Sequence, residues 1–396
     1  MSTAQLLSPF DRLTPTPGAS AQTLANRLGG LIRRGEFPDG SVIPSERQLS
    51  QRLQLPRGAV RTALQQLQDE GLLDGRQGRV RRVRARAGQA SVMSRTVVVL
   101  GFDRLPEERI RDEQGWETYA QFTASARLQE GGYHLLTLNP QGLQRAYLTQ
   151  FGQDPPAGLL VPRYVPSDAV HALMAHLAGA GVPVAVYGEP DAHAPTADRI
   201  VHDHAAGAAE LTRWLIARGR RRILPFWRFP AKQAWVHRRE EGYRRAMQEA
   251  GLDPMTPLRT PDLRLAGGAE PFDDMVRLQV GYLHEVFRDG PSVDALMCAN
   301  DLHAVEAAEV VRRLGLTPGR DVLITGYDNT FAGDHRNPRG ADAPSATIDK
   351  QNAHVGRTLA DLLLERIGGK LPASPQCRST PFQLVVPEPA FAPSDA

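Results

Sequence analysis

Two arginines four residues apart, Arg57 and Arg61, open a segment of helical periodicity, RGAVRTALQQLQDEGLL. On a helix that spacing puts both guanidinium groups on one face. At a helix N-terminal end, side chains can reach base edges in a DNA major groove, and arginine pairs bidentately with guanine. Arg47 lies near the start of the preceding helical segment, where its charge and the free backbone N–H groups suit a phosphate. Gln77, Gly78 and Arg79 fall at a turn; Gly78 lets the tip approach a minor groove closely, and Arg79 is favoured where that groove is narrow. The plain alternative is a solvated helix face for Arg57 and Arg61, and ordinary surface charge for Arg79, Arg81 and Arg82. Catalysis has no comparable candidates, because no phosphate-cradling glycine loop, nucleophile elbow or Cys–His pairing occurs. His202 and His204 flank Asp203 and suggest a metal, but no third ligand is evident. Neither a cofactor nor a metal is expected.

Short elements must position the arginines. Leu24, Leu28, Leu31 and Ile32 recur at helical spacing, and that helix should stop near Gly35. Pro44 ends an extended stretch, and Ser45 with Gln48 forms a capping box that starts a second helix. After a break at Leu55–Pro56, Val60, Leu64, Leu67 and Leu72 make the inner stripe of a third helix, with Gly71 as its C-cap. The following LLDGRQGRVRRV predicts a two-stranded wing turning around Gln77–Gly78. Three helices and a basic hairpin describe a winged helix-turn-helix.

Charge is distributed to match. Residues 20–95 hold 14 Arg, no Lys and 6 acidic residues, a local balance of +8 within a chain of net +3. The remainder is acidic, which fits a phosphate-binding head on a soluble body. A chain of 396 residues exceeds one ordinary core, so two domains are expected. No apolar run reaches the roughly 18 residues of a membrane span. The first 19 residues lack the pattern of a secretory signal and predict a disordered leader. Cys298 and Cys377 are the only cysteines, which argues against a disulfide framework. A cytoplasmic location and no membrane partner follow as expectations.

Residues 84–95 lack apolar periodicity and predict a linker. From Thr96 onward, apolar strands (TVVVLGF, YHLLTL, GLLVP, VPVAVYG, RRILPF, DALMCA, VLITGYD) alternate with helices over 115–132, 167–179, 204–218, 237–250, 273–288, 302–314 and 352–367. Strands apolar throughout and joined by helical crossovers indicate parallel sheets covered on both faces. The fold class is therefore α/β: an N-terminal winged helix-turn-helix with a two-lobed, doubly wound sensor over about 96–390.

Residues Leu24 to Val83 resemble the DNA-binding domain of the GntR family. Ser45-Glu46-Arg47, Arg57 with Arg61, and Gln77-Gly78-Arg79 stand where that family places its Ser-Glu-Arg, its paired recognition arginines and its wing tip. Pro56 and Val80 depart from the pattern, which usually has Ser or Thr and a second glycine there. Residues from about Thr96 to Pro387 resemble the LacI/GalR, periplasmic-binding-protein-like effector domain. The segments that carry this are GVPVAVYG, IVHDHAAGAAELTRWLIARGRRRI, RREEGYRRAMQEAGL, ALMCANDLHAVEAAEVVRRLGL, VLITGYDN and SATIDKQ. The combination is similar to the arabinose-repressor type of regulator.

The resemblance implies effector contacts from Arg239, three residues before Gly242, and from Asp301, after Asn300; Asp203 and Gln351 complete the implied set. Trp116, Trp227 and Trp235 are candidates to stack on a sugar ring, with Trp116 favoured. Each has a plainer role: core filling for the tryptophans, a helix cap for Asp301 and Asp203, an internal ion pair for Arg239. The resemblance further implies a homodimer on palindromic half-sites of double-stranded DNA, a repressor controlled by a small polar effector such as a sugar, and no enzymatic activity. A sugar receptor without a DNA role would not need the basic head. An enzyme fused to a winged helix, of the aminotransferase kind, would need a catalytic lysine, and only Lys232, Lys350 and Lys370 exist.

Overall fold

A computed structural model describes residues 20–33, 37, 39–75, 80–84, 91–101, 116–139, 143, 145–164, 167–188, 197–227, 233–260, 272–288, 292–330 and 343–387. The expected leader, the wing-tip residues Gln77, Gly78 and Arg79, and linker residues 85–90 lie outside the described residues.

The head is built from α1 (Ala21–Arg33), α2 (Glu46–Leu53) and α3 (Arg57–Asp69), followed by β1 (Leu73–Asp74) paired antiparallel with β2 (Arg82–Val83). The capping box forms: Gln48 N–H donates to Ser45 Oγ at 3.3 Å, and Ser45 N–H donates to Gln48 Oε1 at 2.9 Å. Pro56 caps α3 without a side-chain hydrogen bond, and Gly71 follows its last turn at φ +72°, a backbone conformation that favours glycine. Leu28, Ile32, Leu49, Leu53, Val60 and Leu64 are buried in one core. Phe37, 1% exposed, joins them although no periodicity announced it. The far end of the expected linker is a 3₁₀ turn, Val92–Arg95, with Met93 N–H donating to Ser91 Oγ.

The described residues fall into two units. One contains residues up to 103, 124–200 and 357–377; the other contains 104–123, 201–356 and 378 onward. A six-stranded sheet runs in the order β13 (Cys377–Thr380), β7 (Asp198–His202), β6 (Val184–Tyr187), β5 (Gly158–Val161), β3 (Thr96–Leu100), β4 (His134–Leu138). Its pairings β4–β3, β3–β5, β5–β6 and β6–β7 are all parallel. The accompanying helices are α4 (Trp116–Glu130), α5 (Arg145–Gln153) and α6 (Asp168–Gly179).

A four-stranded parallel sheet has the order β11 (Leu323–Thr325), β10 (Ala295–Cys298), β8 (Ile223–Trp227), β9 (Leu258–Arg259). Four helices serve it: α7 (His204–Ala217), α8 (Ala234–Glu249), α9 (Phe272–Phe287) and α10 (Asp301–Arg313). Three-residue strands β12 (Thr347–Asp349) and β14 (Gln383–Val385) pair antiparallel, and α11 (Asn352–Ile367) follows β12.

Parallel sheets with helical crossovers match the expected class. The sequence pattern missed α5, β7, β9, β12, β13 and β14. These elements are short or carry polar residues, as in DRIVH and CRST, so neither a helical stripe nor an apolar run marks them. Helix α8 also begins at Ala234 rather than at the expected 237.

Candidate functional site

Arg47, Arg57 and Arg61 are all exposed, at the start of α2 and on the first two turns of α3. With Ser45, Glu46 and Arg81 they line a concavity of about 610 Å³. Glu46 organises its floor by accepting from Arg61 Nε at 3.1 Å and from Arg81 Nη1 at 3.1 Å. Partial burial alone would raise the Glu46 carboxyl, but the hydrogen bonds from Arg61 and Arg81 outweigh it and hold the group below its ordinary range. Arg81 is 7% exposed, and its Nε donates to Gln68 Oε1 at 3.0 Å. It is therefore a structural strut between the wing and α3, where the sequence left a DNA contact and plain surface charge as the readings. Glu46 as an organiser was not foreseen, since the Ser-Glu-Arg pattern does not reveal what its carboxylate meets.

A second constellation lies just after the carboxyl ends of strands in the other unit, the location where open parallel sheets present ligands. Its centre is Arg239, 3% exposed on α8. The guanidinium lies over the Tyr327 ring at 3.4 Å and the Trp235 ring at 4.6 Å, so two aromatic faces pack against it. Only its edge remains to donate. Nε points at His204 Nδ1 at 3.3 Å, Nη1 donates to the Ala299 carbonyl, and Nη2 stands 4.0 Å from Asp328 Oδ1. The same oxygen pairs with Lys350 Nζ at 2.8 Å, and that ammonium lies 3.7 Å from the centre of the Trp116 ring.

Local backbone features place these groups. Gly242 sits one turn after Arg239, and a Cβ there would collide with the Ala205 carbonyl on α7. The R-x-x-G spacing thus brings α8 hard against the start of α7 and sets Arg239 beside His204. Asp328 and Asn329 adopt φ +93° and +53° after β11, a left-handed turn that Asp and Asn tolerate better than most residues. Gly207 leaves room for the Tyr327 hydroxyl, which shares a 2.6 Å hydrogen bond with His202 Nε2.

Burial, and then the charges of Lys350 and Arg239, push His202 down to about 2. Burial likewise holds His204 well below its ordinary value, helped by Arg239. Both imidazoles are therefore neutral at physiological pH. Burial raises the Tyr327 hydroxyl and keeps it protonated. Among the described residues no group of three or more His, Cys, Asp and Glu is arranged to hold a metal ion.

Of the residues expected to meet an effector, Arg239 and Trp116 join this constellation. Asp301 is fully buried, with its oxygens accepting from Thr330 N–H and Thr347 Oγ1, both at 2.6 Å. Asn300, not Asp301, caps α10, through a hydrogen bond from His303 N–H. Asp203 is exposed and caps α7 by accepting from Ala206 N–H. Gln351 has φ +54°, and its N–H donates to Asp349 Oδ1 at 2.6 Å. Trp227 is a fully buried core residue. Trp235, one of the three stacking candidates, also joins the constellation, whereas Asp328, Lys350 and Tyr327 were not singled out as contacts by the sequence; the only signal for Asp328 was its place in VLITGYDN.

Residues 20–83 match the family model described as bacterial regulatory proteins, gntR family, and residues 212–387 match the periplasmic binding protein-like domain. This chain joins a gntR-family head to a periplasmic-binding-protein-like body. Its relatives include the HTH-type transcriptional regulator CelR of Thermobifida fusca, 30% identical over 42% of this chain and 45% of CelR. The HTH-type transcriptional repressor PurR of Aliivibrio salmonicida is 28% identical over 60% of this chain and 67% of PurR. The sucrose operon repressor of Escherichia coli is 29% identical over 46% of this chain and 52% of that protein. The chain thus spans about half to two thirds of the length of these relatives. Among solved structures, a CelR–cellobiose complex aligns with a TM-score of 0.58 at 20% identity, over 87% of this chain and 99% of that one. A LacI-family regulator from Enterococcus faecium with bound ribose aligns at 0.54 and 19% identity, over 73% of this chain and 96% of that one. At such identities the likeness is one of fold. No helix among the described residues is long and apolar enough to cross a membrane.

Proposed function

We propose that the chain is a cytoplasmic transcriptional repressor, without enzymatic activity, in which the gntR-family head reads double-stranded DNA and the body holds a small polar effector. The observation that carries this reading is one chain with two opposite kinds of cationic site. One is an exposed arginine group on a helix-turn-helix, and the other is a buried Arg–Asp–Lys group walled by aromatic rings. Arg57 and Arg61 read bases, Arg47 meets a phosphate, and the wing residues Gln77, Gly78 and Arg79 approach the minor groove. A single small head binds DNA weakly, so the reading includes a homodimer on palindromic half-sites.

The effector is a sugar or a close derivative. Its hydroxyls bond to the Arg239 edge and to Asp328, and its apolar face lies on Trp116 or Trp235. Asp301, Asp203 and Gln351 support the surrounding turns. The names of the relatives, among them a sucrose operon repressor and a regulator solved in complex with cellobiose, agree with this. Selection from a randomised duplex library tests the DNA half: the full chain should enrich one palindrome, and the same protein with Arg57→Ala and Arg61→Ala should enrich none. Enrichment of the same palindrome by both proteins would refute it.

A further inference from the structure

We infer that the effector carries a negative charge, a carboxylate or phosphate on a polyhydroxylated frame, and is received between Arg239 and Lys350. This rests on the body being an effector site. The inference comes from counting the charges that meet at contact distance. Two cations, Arg239 at 3% and Lys350 at 2% exposure, face one carboxylate oxygen, Asp328 Oδ1, at 4.0 and 2.8 Å.

The other carboxylates nearby are committed elsewhere. Both oxygens of Asp301 accept from Thr330 and Thr347. Asp349 accepts from Asn329 Nδ2 and Gln351 N–H. Asp203 is exposed and caps α7. Glu117, on the first turn of α4, is the weakest of the charges that act on Lys350. His202 and His204 add no charge, being held neutral by burial and by these same cations. At contact distance, two buried cations therefore share the single carboxylate of Asp328 among the described residues, with Glu117 adding a weaker pull on Lys350, an arrangement that is costly unless a partner completes it.

The aromatic rings supply part of that partner. Tyr327 and Trp235 pack against the guanidinium, and Trp116 lies under the ammonium. Ring faces cannot satisfy N–H donors in the guanidinium plane, and the 4.0 Å from Nη2 to Asp328 exceeds hydrogen-bond length. With Nε and Nη1 already donating to His204 and Ala299, Nη2 is the donor that an oxygen of a carboxylate or phosphate would take, beside the Lys350 ammonium. Burial pulls the Lys350 ammonium below its ordinary value, and Asp328 offsets only part of that. A neutral sugar would satisfy hydrogen bonds but leave the charge unmatched.

The test is calorimetric titration and thermal shift of the full chain with matched probes: glucose, gluconate, glucuronate and glucose 6-phosphate, and the same four forms of galactose and arabinose. Within at least one set, a charged member should bind at least tenfold more tightly than its neutral parent; comparing the acid and phosphate arms identifies the anionic group. Lys350→Gln should reduce that preference at least tenfold, whereas Lys350→Arg should keep it. Circular dichroism establishes that each variant is folded, and if Lys350→Gln is not, loss of the preference in Lys350→Met serves instead. Neutral parents binding as tightly as their charged forms would overturn the inference and leave the sugar reading standing. No binding by any probe would overturn both.

Discussion

The head and the body use the same residue type in opposite ways. In the head, Arg47, Arg57 and Arg61 stand in solvent, over a core made of Leu, Ile, Val and Phe. Each is available to a large anion and adds little to folding, because exposed charges are screened and hydrated. In the body, Arg239 is buried, packed against two rings and hydrogen-bonded along its edge. Its position depends on Gly242, Asp328 and neutral His204 together, so function and stability are coupled there and separable in the head.

The largest effect expected from this contrast is at Asp328. Asp328→Asn keeps a side chain that tolerates the left-handed turn but leaves Lys350 and Arg239 without their carboxylate. The loss should be about 3–5 kcal/mol, as for other broken buried ion pairs. Chemical denaturation of the full chain reads it, and a loss below about 1 kcal/mol would show that the cations do not depend on Asp328. Arg57→Ala and Arg61→Ala should do the reverse. Each should cost about 1–3 kcal/mol of operator binding while changing unfolding free energy by less than about 0.5 kcal/mol. Fluorescence anisotropy and denaturation on the same samples separate the two effects, and a variant that unfolds as readily as it loses DNA would remove the contrast.

The same contrast governs what the sequence could reveal. Arg57 and Arg61 were legible because their placement follows from helix periodicity and a cap, both local properties. The capping box at Ser45 and Gln48 and the stripe Val60, Leu64, Leu67 were legible for the same reason. The body's strands and most of its helices were legible as alternating apolar runs. Its site was less so: Tyr327 and Asp328 follow β11 and Lys350 follows β12, and only the packed strands bring them to Arg239. Asp301 illustrates the difficulty. A conspicuous Asn-Asp pair drew attention to it, yet its carboxylate is enclosed where Gly326 leaves space beside it. Glu46 and Arg81 were obscure because their pairing joins α2 to the wing across 35 residues.

Acidity offers a sharper separation. In the native body His202 is pushed down to about 2 from 6.5. The unfolded chain takes up that proton below about pH 6.5 and the native state does not, so the stability is complete above that pH and is lost as pH falls. The slope should be about 1.4 kcal/mol per pH unit from His202 and about as much again from His204, which burial also holds well below its ordinary value. The head, residues 20–83, contains no histidine and should show no such loss over the same interval. Denaturation at pH 5.0 and 6.5 measures this, and His202→Gln should remove about half of the difference; an equal slope in wild type and variant would place the proton uptake elsewhere. The smallest effect expected is at the cap, where Ser45→Ala should cost about 1 kcal/mol in the head. Hydrogen exchange of α2 amides reports it, and unaltered protection at Gln48 would mean the box contributes little.

The central claim is that the exposed and buried arginine sites communicate within one chain. It is tested by anisotropy of a labelled operator duplex bound to the full chain, titrated with whichever probe binds the body. The account predicts at least a tenfold change in operator affinity at saturating ligand, absent in Arg239→Ala. A ligand that saturates the body and leaves operator affinity unchanged would contradict it.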